Sequence, residues 1–127
     1  LAPWIAGDAR QRRAVVAGLC EPDLLRDPAQ ARSTLAILDR ITRSLLAEPD
    51  PRDEAVRSLR QALGYGWSVA IVALPEVGKA LFEVWSRQSN DDVRWMLREN
   101  LKKKRLSRLD AAWVQRMQVA LSAQGAG

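Results

Sequence analysis

Apolar residues recur every three to four positions along most of this chain, which is the spacing of one face of an α-helix. Stripes with this spacing run through residues 35–45, 56–70, 77–85 and 93–101. The strict alternation of apolar and polar residues that is typical of a half-buried strand occurs nowhere. The pattern therefore predicts an all-α protein.

Prolines and short polar side chains divide these stripes into separate helices. The dipeptides Asp27-Pro28 and Asp50-Pro51 each place an N-cap carboxylate before a proline at the first helical position, where the missing N–H costs nothing. Asn90 and Asp110 can cap later helices in the same way. These proline and N-cap positions predict six helices, at about residues 9–20, 28–47, 52–73, 75–88, 91–106 and 110–123.

Several positions on these helices have a predicted packing role. Gly64 and Gly66 interrupt the third helix, where they can allow a kink or a close helix crossing. Trp67 and Trp85 fall on apolar stripes and are expected to be buried. Asn100 falls on the core side of its helix, so its amide needs hydrogen-bond partners, for which loop carbonyls are the expected source. The pattern leaves open whether Trp95 and Trp113 pack in the core or present exposed rings for stacking.

One segment repeats along the chain. Asp53-Glu54-Ala55-Val56-Arg57 matches Asp91-Asp92-Val93-Arg94 with a period of 37 residues, and a leucine-rich helix precedes each copy. A weaker third copy begins at Gly7-Asp8-Ala9-Arg10. Helix pairs repeated at such a period are the signature of a solenoid, in which each unit buries its apolar face against the next.

These residues resemble a HEAT repeat, in which a proline-started helix is followed by an acidic turn and then by Val-Arg at the start of a second helix. The resemblance implies a right-handed α-solenoid of antiparallel helix pairs, with about six helices in a single domain. Its units would be residues 1–27 (partial), 28–73 and 75–106, followed by a C-terminal helix at 110–123. It also implies that Asp53, Arg57, Asp91 and Arg94 tie neighbouring units together. Since the chain starts at Leu1 in mid-pattern, we expect a fragment of a longer protein.

Composition narrows the chemistry that the chain can carry. The sequence has no histidine, so the commonest general base and metal ligand is missing. Its single cysteine, Cys20, lies in an apolar stretch and is expected to be a small core residue in a reducing compartment such as the cytoplasm. The longest apolar run, residues 69–74, is too short to span a bilayer. We therefore expect no enzyme activity, cofactor, metal, small-molecule substrate or membrane association.

Positive charge is concentrated near the C-terminus. Residues 1–54 carry eight Lys and Arg against nine Asp and Glu, whereas residues 55–127 carry twelve against six. If residues 92–106 form one helix, Val93, Leu97, Leu101 and Lys104 share its core side, and the arginines fall on one flank. The candidate binding residues on this basic flank and its continuation are Arg57, Arg94, Arg98, Lys102, Lys103, Arg105 and Arg108.

Two functions fit a basic flank on a HEAT-like domain. The first is a non-catalytic scaffold that binds another protein or the rest of its own chain. The alternative is a nucleic-acid-binding domain, because the flank and the tryptophans bear a faint resemblance to the DNA-alkylation-repair glycosylases built on this fold. A basic surface alone serves either partner.

Overall fold

A computed structural model describes residues 8–50 and 52–126, and over these residues the protein is all-helical, with six α-helices and no strands. The α-helices are α1 (Ala9–Leu19), α2 (Pro28–Leu45), α3 (Glu54–Ala73), α4 (Pro75–Trp85), α5 (Asp91–Leu101) and α6 (Lys104–Ala126). A short 3₁₀ helix, Leu24–Arg26, joins α1 to α2. The prediction of an all-α protein with about six helices is confirmed.

The α3 helix lies at the centre of the fold. It packs most extensively against α1 and α5, one on each side, and it also contacts α2, α4 and α6. Leu59, Leu63, Trp67 and Ile71 of α3 are fully buried. Apolar residues around most of the circumference are what a helix needs when it is enclosed by several neighbours.

The start of α3 differs from the prediction. Its N-cap is Asp53, whose side chain accepts a hydrogen bond from the backbone N–H of Ala55 at 2.8 Å. Asp50 instead accepts from the backbone N–H of Arg52 in the preceding turn, at 3.0 Å. The predicted cap at Asp50 is therefore wrong, and Pro51 lies outside the described residues.

The predicted helix at residues 91–106 is also interrupted. The α5 helix ends at Leu101, and the backbone N–H of Lys102 donates to the carbonyl of Glu99 in a tight turn, at 3.2 Å. The next helix begins three residues later and bends at Asp110, whose backbone is extended. Asp110 accepts from the backbone N–H of Trp113 at 3.0 Å, which confirms the predicted cap at that residue.

Close approach between helices explains the two glycines of α3. A Cβ at Gly66 would lie 2.9 Å from Sγ of Cys20 on the chain following α1, and a Cβ at Gly64 would lie 3.2 Å from Cβ of Glu99 on α5. Both neighbours can approach because no side chain intervenes. The α3 helix runs unbroken from Glu54 to Ala73, so the close-crossing interpretation is confirmed and the kink is not observed.

Asn100 fastens α5 to the backbone of α3. The side chain is fully buried, as expected, with its Oδ1 accepting from the N–H of Ser68 at 2.9 Å. Its Nδ2 donates to the carbonyls of Leu63, at 2.9 Å, and of Met96, at 2.8 Å. The predicted need for partners is confirmed, but the partners belong to helices rather than to loops.

An ion pair joins α3 to α5, although not through the residues that the repeat predicted. Nη1 of Arg60 lies 2.6 Å from Oδ1 of Asp92, and its Cζ lies 4.8 Å from the ring centroid of Trp95. Arg57 and Asp91 are exposed and form no ion pair within the described part of the chain. The ion pair lies within one helical turn of Arg57 and Asp91, two of the residues that the resemblance implied as ties.

A similar arrangement joins α4 to α6. Nζ of Lys79 lies 2.6 Å from Oδ2 of Asp110 and 5.6 Å from the ring centroid of Trp113. The hydrogen bond from Lys79, and then that from the Trp113 backbone, lower the pKa of Asp110. Trp113 is 3% exposed and its Nε1 donates to Glu83 at 3.1 Å. The ring is therefore a packing residue rather than an exposed stacking platform.

Candidate protein-binding groove

An open groove of about 530 Å³ crosses the C-terminal part of α3. Its lining comes from three places: the last turns of α3, the segment around the 3₁₀ helix, and the connection from α5 into α6. The volume lies within the range of sites that hold ligands, roughly 300–1,000 Å³. We call this feature the basic groove because of the charges described below.

The floor of the basic groove is apolar. It consists of Pro22, Leu25, Val69, Val72 and Ala73. Leu25 and Val69 are buried against the core, whereas Val72 remains 39% exposed although it lies among apolar neighbours. An exposed aliphatic side chain in a concave apolar surface is available for contact with a partner.

The rim of the basic groove carries only positive charge. Its charged residues are Arg26, Lys103, Lys104, Arg105 and Arg108, with no acidic residue in the lining. Arg26 pairs with Asp23 at 3.2 Å, and both side chains are largely exposed. Within the described ranges, no carboxylate lies within ion-pair distance of the other four. Like charges gathered without counter-charges repel one another and create a strongly positive local potential.

Three cations that lie between helices elsewhere are paired with carboxylates. Arg12 of α1 forms an ion pair with Glu48 after α2, and Arg60 and Lys79 each pair with an aspartate on a later helix. These three side chains are largely buried, so their charges need partners. The cations of the basic rim differ, because none of them forms an ion pair between two of the described helices.

Tyr65 holds one of the rim cations in place. Its ring is 42% exposed, and Cζ of Arg105 lies 4.7 Å from its centroid. Nζ of Lys103 lies 6.0 Å from the same centroid, and Nη2 of Arg105 lies 3.4 Å from the phenolic oxygen. Cation–π contact of this kind restricts an otherwise mobile guanidinium.

Three of the seven predicted binding residues line the basic groove: Lys103, Arg105 and Arg108. Arg57, Arg98 and Lys102 are exposed but lie outside it. Lys102 pairs with Glu99 in the turn after α5, at 2.6 Å. The structure thus brings the last predicted residues, from Lys103 onward, together in one groove, and it leaves the earlier ones outside that groove.

Arg94 does not lie on an exposed flank. It is 6% exposed, and its Nη2 donates to the carbonyl of Leu121 on α6. Its placement on a solvent-facing strip is wrong, because α6 covers this side of α5. The hydrogen bond joins α5 to α6, whereas the expectation that Arg94 ties neighbouring repeat units together stays a prediction.

The sequence did not identify Lys104 and Arg26 as groove residues, nor Tyr65 as the residue that contacts the rim. A helical wheel through residues 92–106 put Lys104 on the core side, but the break after Leu101 turns it outward, and it is exposed. Tyr65 and Arg26 come from distant segments that only the tertiary fold brings near the basic run. The triplet Lys102, Lys103, Lys104 was itself a signal, since three consecutive lysines are seldom placed toward a core.

Cys20 carries no evident chemistry. It is 5% exposed, and burial raises the pKa of its thiol to about 12, so the thiolate form is suppressed. The prediction of a small core residue is confirmed. Among the residues described, three or more Cys, Asp or Glu side chains nowhere gather in an arrangement that could hold a metal ion.

Comparison of the chain with protein-family models, with curated proteins and with solved structures finds no match. Within residues 8–50 and 52–126, no helix combines the length and the apolar character needed to cross a membrane.

Proposed function

We propose that this chain is a non-catalytic, HEAT-like scaffold module that binds an acidic region of another protein, or of the rest of its own chain, through the basic groove. One observation carries the proposal: within residues 8–50 and 52–126, four rim cations have no carboxylate partner, and they line the same groove as an apolar floor. Arg12, Arg60 and Lys79, which join helices, are paired with carboxylates, whereas the rim charges are available to an anionic partner.

The architecture that we propose for the module is a right-handed HEAT-like solenoid. Its support is the succession of α1, α3 and α5 side by side, with α2 and α4 packed on the central member. Ion pairs join α3 to α5, from Arg60 to Asp92, and α4 to α6, from Lys79 to Asp110, and they are the kind of contact expected between stacked units. A buried, reduced thiol suits the cytoplasm as the compartment.

The side chains around the rim cations favour a protein partner over nucleic acid. Binding to single-stranded nucleic acid relies on open aromatic faces on which bases stack. Trp113 is buried, Trp95 is partly covered by Arg60, and the Tyr65 ring is occupied by Arg105. An aliphatic floor suits protein side chains better than it suits phosphates.

Fluorescence anisotropy with three labelled probes tests this function. The probes are a glutamate-rich peptide, a DNA duplex and a single-stranded oligonucleotide, each titrated with the protein at low and at physiological salt. We expect the acidic peptide to bind, with an affinity that falls as salt rises. Tighter binding of either nucleic acid than of the peptide at the same salt would instead favour the alternative function.

Two double variants with the same change in net charge locate the site. We expect Lys104→Glu with Arg108→Glu to weaken peptide binding at least about tenfold, because each reversal replaces attraction by repulsion. The matched control is Arg32→Glu with Arg40→Glu, two exposed positions on α2 outside the basic groove. Equal losses in both variants would mean that only net charge matters and would remove the case for this site.

A further inference from the structure

The basic groove offers its partner two kinds of contact at once. Pro22, together with Val72 and Ala73 of α3, forms the accessible part of the apolar floor, and the five cations line the same groove. A purely charged, extended polyanion would leave the apolar side chains of the floor exposed to water. Apolar area removed from water contributes about 25 cal/mol per Å², so an occupant that covers the floor gains affinity that charge pairing alone does not supply.

The charges come from both separated parts of the lining. Arg26 belongs to the 3₁₀ helix, whereas Lys103, Lys104, Arg105 and Arg108 belong to the α5–α6 connection and the first turns of α6. An occupant that meets the rim therefore needs carboxylates along its length. Because the floor lies between, it also needs apolar side chains on the surface that faces α3.

We infer that the occupant of the basic groove is an amphipathic acidic protein segment, with aliphatic side chains on the face toward α3 and carboxylates flanking that face. The aliphatic face contacts Pro22, Val72 and Ala73, while the flanking carboxylates pair with Lys103, Arg105 and Arg108. A helix with anchors spaced three and four residues apart presents these two faces together. This inference rests on the proposed function and adds the chemical class of the partner.

Two peptides of identical composition test the inference. Each has about 15 residues, roughly four helical turns, built only from Leu and Glu. In the one-face peptide the leucines form a single stripe along the helix, and in the dispersed isomer they are spread evenly around it. Both carry the same charge, so any difference in affinity measures the use of the apolar floor.

We expect the one-face peptide to bind at least about tenfold more tightly than the dispersed isomer at physiological salt. Val72→Asn should weaken the one-face peptide about fivefold and leave the dispersed isomer nearly unchanged. The matched control is Val119→Asn on α6, a residue that is 63% exposed and outside the basic groove. Circular dichroism melts of both variants confirm that each remains folded.

The outcomes separate the inference from the function on which it rests. Equal affinity of the two peptides, with no effect of Val72→Asn, would overturn the amphipathic partner while leaving charge-driven peptide binding intact. A loss caused by Val119→Asn instead of Val72→Asn would place the site elsewhere and overturn the inference. If neither peptide binds and the glutamate-rich peptide also fails, both the inference and the proposed function are wrong.

Discussion

The guanidinium of Arg105 lies over the ring of Tyr65, with Cζ 4.7 Å from the ring centroid. Tyr65 belongs to the central helix α3, so a side chain on the rigid part of the fold positions a cation on the rim of the basic groove. An ordered arginine loses less conformational entropy on binding than a free one, which increases affinity for a partner.

Removing this contact should weaken binding without altering the charge. We expect Tyr65→Ala to lower the affinity for the one-face peptide about threefold, because the cation–π contact is worth ~0.5–1 kcal/mol at an exposed site. Tyr65→Phe keeps the ring and should bind like the wild type. Anisotropy titrations of both variants measure the difference, and equal losses in the two would show that the hydroxyl, not the ring, is what matters.

The four unpaired rim cations should reduce the stability of the fold. Lys104 is the first residue of α6, where positive charge is unfavourable beside the helix dipole and its neighbouring cations. We expect Lys104→Glu to raise the free energy of unfolding by about 0.3–1 kcal/mol while it weakens peptide binding. Urea unfolding measures the first effect and anisotropy the second.

The control for the opposite effects of Lys104→Glu on stability and on peptide binding is Arg32→Glu, which changes the charge equally on a different helix. It should leave peptide affinity unchanged. A destabilised Lys104→Glu variant would contradict the interpretation, since it would mean that Lys104 supports the fold rather than a partner.

Asn100 should be among the polar residues on which stability depends most. Its amide satisfies the N–H of Ser68 and the carbonyl of Leu63, both buried on α3. We expect Asn100→Ala to lower the free energy of unfolding by about 2–4 kcal/mol, because it leaves buried polar groups without partners and creates a cavity. Asn100→Asp should be at least as damaging, since a carboxylate cannot donate to the Leu63 carbonyl.

Urea unfolding with far-ultraviolet circular dichroism measures both variants. Thr42→Val is a useful comparison, because it removes a different buried hydrogen bond, the one accepted from Nε1 of Trp67 at 3.0 Å. A loss smaller than about 1 kcal/mol for Asn100→Ala would contradict the role assigned to the amide.

Asp110 should make stability depend on pH in the acid range. Its pKa is lowered in the folded state by the hydrogen bond from Lys79 and by that from the Trp113 backbone. A carboxylate with a lowered pKa stabilises the fold above its ordinary pKa, here 3.8, and this contribution is lost as pH falls through the lowered value.

Asp110→Asn keeps an N-cap side chain but removes the charge, so it isolates the pairing with Lys79. We expect its Tm to lie below that of the wild type at neutral pH, and the two Tm values to converge as the solution is acidified below that ordinary pKa. Thermal melts across this pH range are the measurement. A constant difference between the two at every pH would show that ionisation of Asp110 is not responsible.

Helix positions were predictable because apolar residues on one helix face recur every three to four positions, which can be seen in the sequence itself. Residues such as Leu35, Leu38 and Ile41 had to share a face, and the proline at 28 fixed a helix start that the structure confirms. The cap predicted at Asp110 marks a bend inside α6 rather than the start of a separate helix. The same rule of spacing failed between Leu101 and Lys104, where a tight turn replaces the expected helix. Because the helix ends there, the wheel drawn through residues 92–106 no longer gives the direction of the side chains that follow the break.

The basic groove was only half predictable for a different reason. Lys103, Arg105 and Arg108 are close in sequence, so a run of charge revealed them. Arg26 reaches the groove from a separate segment. Arg94 was misplaced because nothing local indicated that the C-terminal helix would cover it and accept its hydrogen bond. Contacts between distant segments decide which charges remain exposed.

The most direct test of the central claim is where an acidic amphipathic peptide lies on the protein. A nitroxide attached to the one-face peptide broadens amide signals of nearby residues in nuclear magnetic resonance spectra of the labelled protein. The protein's only cysteine is buried, so it does not compete for the label. We predict broadening at Leu25, Val72 and Arg105 that disappears in the Lys104→Glu, Arg108→Glu variant. Broadening centred on Val119, or spread evenly over the surface, would contradict the account.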